Sequence, residues 1–130
     1  MAFVNPLGHL DLRVADMAVA LPFYRALSPA LGFVDEYHGG DWKVWAVPGS
    51  LPAAPYVGVT ERPGHVANDN RVAFWVASPA EVDRVGAVAR DAGAEIESGP
   101  RPCPEYDPSY YAVFFRDPSG NRFEMYFRAA

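Results

Sequence analysis

Residues 7–14, Leu-Gly-His-Leu-Asp-Leu-Arg-Val, alternate apolar and polar positions. This predicts a strand with Leu10, Leu12 and Val14 on one face and His9, Asp11 and Arg13 on the other. Asp16 is placed to cap the next stretch, where Met17, Leu21, Tyr24, Leu27 and Leu31 recur at helical spacing. Pro22 and Pro29 predict a late start or a kink in that helix, and Gly32 predicts its end. Residues 33–38, 42–47 and 55–61 then read as short strands separated by Gly and Pro.

The same order returns in the second half. Residues 71–77, Arg-Val-Ala-Phe-Trp-Val-Ala, predict a strand with Val72, Phe74 and Val76 on one face. Ser78-Pro79-Ala80-Glu81 has the form of a capping box with proline at the first helical position. Val82, Val85, Val88 or Ala89, and Ala92 mark the buried stripe up to Gly93. Strands follow at about 94–97, 110–116 and 122–128, the last two joined by the tight-turn sequence Asp117-Pro118-Ser119-Gly120. Each half thus reads strand, helix, three strands. Overlaying the halves sets His9 on Arg71 and Gly32 on Gly93, with residues 67–70 as the linker. The fold class is α+β, and the duplication suggests two half-sheets enclosing a cavity, with helices on the outer face. One domain over residues 1–130 is expected, with a first module at about 7–66 and a second at about 70–128.

Composition narrows the partners. The 130 residues are half hydrophobic and 14% aromatic, enough for one core and too apolar for disorder. A net charge of −5 with a single lysine, Lys43, leaves no basic patch for a phosphate backbone, so nucleic acid is not expected. No apolar run reaches the length of a membrane span, and no signal-peptide pattern opens the chain. With one cysteine, Cys103, a reducing cytoplasmic setting and a small-molecule ligand are expected. Cys103 lies between two prolines and reads as incidental.

The chemistry starts at Glu124. In residues 121–127, Phe123, Met125 and Phe127 share one face of a strand while Glu124 and Tyr126 share the other. A carboxylate among large apolar neighbours is costly to bury without a metal, a cation or a proton. Gly8-His9-Leu10, Phe23-Tyr24-Arg25 with Leu31-Gly32-Phe33, Val72-Ala73-Phe74, and Asp117-Pro118-Ser119-Gly120-Asn121 before Phe123-Glu124-Met125 follow one another along the chain. In that order the chain resembles the vicinal oxygen chelate superfamily of glyoxalases, bleomycin-resistance proteins and extradiol dioxygenases, over nearly its whole length. The resemblance implies two βαβββ modules forming a curved mixed sheet around a groove. It also implies a divalent metal (Fe, Mn, Ni, Zn or Mg) held from the outer strands, with His9 and Glu124 as ligands, and a homodimer.

Two positions depart from the family pattern. Arg71 stands where a histidine is usual, and Gly58 falls at the fourth-strand position, leaving Tyr56, Gly58 and Thr60 toward the groove. Two ligands are few for a firmly held ion. A permanent guanidinium beside Glu124 repels a metal and pairs with the carboxylate instead. His38, Asp11 or a tyrosine near Tyr110 remain as further donors, as does Asn70 in a shifted register; His65 reads as exposed.

Two functions follow from the resemblance. One is a metal-dependent lyase- or ring-cleaving dioxygenase-type enzyme acting on a small oxygenated or aromatic molecule, with a degenerate metal site. In it Tyr110 or Tyr111 serves as acid, base or hydrogen-bond donor. Without a carboxylate at position 58, lactoylglutathione chemistry ranks below this. The alternative is a cofactor-free binding protein similar to the bleomycin-resistance members. Its ligand would stack on Trp42, Trp45, Trp75, Tyr56, Tyr110 and Tyr126, with Arg71 and Asp11 orienting it. Pocket volume is expected to depend on the loops at 48–55 and 98–109.

Overall fold

A computed structural model describes residues 6–49 and 55–130, so the first of those two loops lies largely outside the described residues. The elements run β1 His9–Val14, α1 Met17–Ala30, β2 Asp35–Gly39, β3 Trp42–Ala46, β4 Tyr56–Glu61, then β5 Arg71–Trp75, α2 Pro79–Asp91, β6 Glu95–Pro102, β7 Tyr111–Arg116 and β8 Arg122–Phe127. This is the α+β duplication read from the periodicity. Each module forms its own mixed four-stranded sheet, ordered β1-β4-β3-β2 and β5-β8-β7-β6. The first and last strands of each module run parallel and the remaining pairs antiparallel.

Burial alternates along β1 as the pattern requires, with Val14 fully buried and His9, Asp11 and Arg13 exposed. Asp16 caps α1 by accepting from the amide of Ala18 at 2.9 Å, and Ser78 caps α2 through the amide of Glu81 at 3.2 Å. The Glu81 carboxylate does not complete a capping box; it turns to Arg84. The late start expected from Pro22 does not occur: α1 begins at Met17 and runs through both prolines. An interior proline costs about 3 kcal/mol. Phe23, Tyr24 and Leu27, all buried on the inner face of α1, contribute roughly 1.5–3 kcal/mol each and hold the helix together. Gly32 and Gly93 end the helices at φ 98° and 112°, a region closed to most side chains.

Both helices lie on one side of the sheets, and the larger hydrophobic core among the described residues draws on both modules. Val14, Phe23, Tyr24, Trp45 and Val59 from the first pack with Val82, Val85, Phe115, Phe123 and Met125 from the second. The Asp117-Pro118-Ser119-Gly120-Asn121 turn fastens the junction. Asp117, only 3% exposed, accepts from Tyr24 Oη at 2.5 Å, while Ser119 Oγ accepts from Ala15 N at 3.0 Å and Asn121 Nδ2 donates to Arg13 O at 2.8 Å. His65, expected to be exposed, is half-buried with Nε2 3.1 Å from Asn121 Oδ1.

Edge strand β2 is pinned by Glu36. Its carboxylate receives Arg25 Nη2 at 3.0 Å, Trp45 Nε1 at 2.8 Å and His38 Nε2 at 2.6 Å. The Arg25 guanidinium pulls the Glu36 carboxyl down from 4.5 to about 2 against the opposing effect of burial, with His38 and Trp45 adding to the pull. Because the folded value is depressed, the resulting stability is present above pH 4.5 and is lost as pH falls through about 2. Glu36→Gln is expected to lower the melting temperature by about 3–5 °C at neutral pH. The difference from wild type closes near pH 2, and thermal melts at the two pH values check it.

Candidate functional site

The sheet faces turned away from the helices carry most of the residues singled out above. On the first sheet, the register sets His9 beside Tyr56, Asp11 beside Gly58 beside Val44, and Arg13 beside Thr60 beside Trp42. His9 stacks flat on Tyr56 with 4.6 Å between ring centres, and its Nε2 lies 3.1 Å from Asp11 Oδ2. An ideal Cβ at Gly58 would come 2.7 Å from Asp11 Oδ1. The aspartate thus fills the space that a longer residue would claim on the fourth strand. Trp42 borders the same space, its Nε1 3.6 Å from that Cβ position.

On the second sheet the corresponding rows are Arg71–Arg122–Arg116, Ala73–Glu124–Phe114–Ser98, and Trp75–Tyr126–Ala112–Arg101. Val72 and Phe74 pack against the core, so Arg71 and not Asn70 faces this surface. Glu124 is 4% exposed, and the pairing expected with Arg71 is present through one nitrogen, Nε to Oε1 at 3.3 Å. The Tyr110 hydroxyl donates a short hydrogen bond to the other carboxylate oxygen. Burial first, and then Glu124, push the Tyr110 phenol upward from its ordinary value. The proton is thereby held on the phenol, which donates to Glu124. Tyr110 and Tyr126 stack at 5.0 Å and 2°, and Tyr126 and Trp75 at 5.9 Å and 19°. This row ends at the Trp75 indole, which is 60% exposed.

A cavity of about 220 Å³ between the modules brings His9, Tyr56 and Trp75 together, with Phe33 and Phe74 in its wall. Other expected residues lie elsewhere. Tyr111 sits on the helix side of its sheet, its hydroxyl donating to Asp83 on α2 at 2.7 Å. Trp45 is buried in the core against Tyr24. His38 is committed to Glu36. Cys103 is buried, and that burial raises its thiol above the ordinary range, which leaves it protonated and unreactive.

The chain has two βαβββ modules, a histidine opening β1 and a carboxylate in β8, and a family sequence model matches it. That model, the glyoxalase/bleomycin resistance protein/dioxygenase superfamily, covers residues 6–125. The chain belongs to this superfamily. The fold agrees with that of solved structures of low identity. A glyoxalase/bleomycin resistance protein from Albidiferax ferrireducens T118 superposes with a TM-score of 0.76 at 24% identity, covering 94% of this chain and 98% of that one. The fosfomycin resistance protein FosX from Listeria monocytogenes gives 0.70 at 20% identity over 98% and 96%. A mutant of the Listeria FosX, complexed with Mn(II) and 1S,2S-dihydroxypropylphosphonic acid, gives 0.66 at 20% identity over 95% and 90%. No protein of curated function matches the chain. No helix among the described residues is long and apolar enough to cross a membrane.

That FosX mutant is complexed with Mn(II). Among the described residues no three His, Cys, Asp or Glu side chains converge. His9 and Asp11 pair on one sheet, whereas Glu124 on the other is occupied by a cation and a phenol. Within one chain these groups do not fit a divalent ion.

Proposed function

We propose that this superfamily member binds a small planar oxygenated or aromatic molecule on the sheet faces turned away from its helices. The observation that carries this reading is the stacked row Tyr110–Tyr126–Trp75, which ends in an exposed indole at the cavity shared with His9 and Tyr56. Exposed, parallel aromatic surface favours a flat ligand. Beside the row, the Tyr110–Glu124–Arg71 cluster supplies polar groups that fix its orientation. No proton transfer through Tyr110 belongs to this reading. The homodimer expected from the family remains part of the proposal, with the open faces carrying Trp75 and Tyr37 as the surface between copies. Sedimentation at micromolar concentration tests it, and a single monomeric species counts against it.

The test of binding uses the protein's tryptophan fluorescence. Catechol is expected to quench it on titration, and Trp75→Ala is expected to weaken that binding about tenfold. Unaltered quenching by Trp75→Ala would remove the reading.

A second, metal-dependent reading of lyase or dioxygenase type draws on the His9–Asp11 pair beside Gly58. Because no third donor stands at that place among the described residues, Glu124 of a second copy completes the set in this reading. Thermal melts with Mn, Fe, Co, Ni and Zn ions separate the two. Metal-dependent stabilisation abolished by Asp11→Ala supports the second, and a flat response supports the first.

A further inference from the structure

Three arginines stand side by side on the second sheet. Arg71 on β5 is the register partner of Arg122 on β8, which is in turn the partner of Arg116 on β7. Like charges directly opposite one another destabilise a sheet, and a face selected for stability alone would alternate their signs. The chain is acidic overall, with 11 basic residues against 16 acidic ones, so the row is not a by-product of composition.

Its central member is poorly compensated. Arg122 lies 3.4 Å from Asp69, a side chain 97% exposed, and 3.7 Å from Glu97, which makes its closer contact with Arg116 at 3.1 Å. Arg122 Nε is buried and has no hydrogen-bond partner among the described residues. A buried guanidinium N–H without an acceptor is costly, and a bound oxygen would satisfy it.

A cleft of about 260 Å³ opens beside two members of this row, Arg71 and Arg122. Arg71, Arg101 and Arg122 all line it together with Ser98, and Glu97 is the one carboxylate in the lining. Arg71 spends only Nε on Glu124, and its guanidinium lies over the Phe114 ring, 4.9 Å from the centroid. Arg101 is steadied by Ser98 Oγ at 2.9 Å and by Glu105 at 3.2 Å, the latter half exposed and so weakly held.

We propose that this cleft binds a phosphate-type oxyanion, free or carried by a small organic molecule. Glu124, Glu105, Asp69 and Glu97 each reach one of the three guanidiniums, so the cleft selects its ligand by unsatisfied donors and not by excess charge. Arg122 Nε lacks an acceptor among the described residues, and the Arg71 and Arg101 guanidiniums stand beside it. Guanidinium forks also match the oxygens of a tetrahedral oxyanion. The site rests on the reading above only in treating the second sheet as the ligand-binding face. The phosphate test needs no aromatic ligand, so the two can fail separately.

Inorganic phosphate, titrated at constant ionic strength and followed by calorimetry and thermal melts, is expected to bind and to raise the melting temperature, while acetate does neither. Arg122→Gln is expected to weaken phosphate about tenfold. Without phosphate it melts no lower than wild type, because the substitution relieves the cross-strand repulsion. Arg101→Gln, at the exposed rim, weakens phosphate as well and decides the matter if Arg122→Gln does not fold. Arg90→Gln, on α2 and paired with its neighbour Asp91, leaves binding unchanged. Tighter binding of phenyl phosphate than of inorganic phosphate assigns the site to an organic phosphate, and equal binding assigns it to the free anion. The proposal fails if phosphate acts no differently from chloride at equal ionic strength, or if Arg122→Gln and Arg101→Gln bind it as wild type does.

Discussion

Asp117→Ala is expected to lower folding stability by about 3–5 kcal/mol. The carboxylate is buried at the junction of the two modules and accepts from Tyr24 Oη, Ser119 N, Asn121 N and Asn121 Nδ2, all between 2.5 and 2.9 Å. Removing it strands these donors away from water and loosens the turn that carries Ser119 and Asn121 across to β1. Tyr24→Phe probes one donor of the set and is expected to cost about 1–2 kcal/mol. Burial chiefly, with Asp117 adding to it, holds the Tyr24 phenol well above its ordinary value, so the proton stays on tyrosine and the hydrogen bond persists across the pH range of folding. Urea unfolding followed by the fluorescence of Trp45, which stacks on Tyr24, measures both variants. A loss below about 1 kcal/mol for Asp117→Ala would mean that the junction is held by apolar packing alone.

Removing the Glu124 carboxylate should have the second largest effect. Glu124→Ala leaves the Tyr110 hydroxyl and Arg71 Nε without their acceptor and brings the arginine row closer to uncompensated. Breaking a fully buried pair costs about 3–5 kcal/mol. Arg71 is 43% exposed and can turn to water, so the expected loss is about 2–3 kcal/mol. Tyr110→Phe combined with Glu124→Ala in a double-mutant cycle should show coupling of about 1 kcal/mol or more. Catechol binding should weaken in step, because the stack at Tyr126 loses the group that fixes Tyr110. If the single losses simply add, Glu124 and Tyr110 act independently and the cluster has no role as a unit.

The arginine row and the Asp11–Gly58 contact show where sequence reasoning stopped. Alternation told which residues of β5 and β8 share a face, but their register across some fifty residues of chain is set by the helices packing beneath them. Arg122 was in plain view as a strand-start residue, and a count of basic residues at face positions would have raised it as a candidate. Nothing local indicated that it stands next to Arg71. Similarly, Gly58 read as a missing ligand, and only the parallel pairing of β1 with β4 showed the Asp11 carboxylate occupying that space. Tyr110 and Tyr111, adjacent and both expected at the site, part company because neighbouring residues entering β7 point to opposite sides of the sheet.

The order of elements, the helix caps at Asp16 and Ser78, the apolar stripes and the duplicated plan are properties of near neighbours along the chain, and the residues by themselves determined them. Local periodicity and capping chemistry act over a few positions and leave their mark in the sequence. The tertiary structure decided three things: that Asp117 joins the modules, that Pro22 stays inside a helix, and that Glu124 is met by a cation and a phenol. Each of these balances a local cost against burial or charge brought from a distant segment, and that balance has no counterpart in any short stretch of residues.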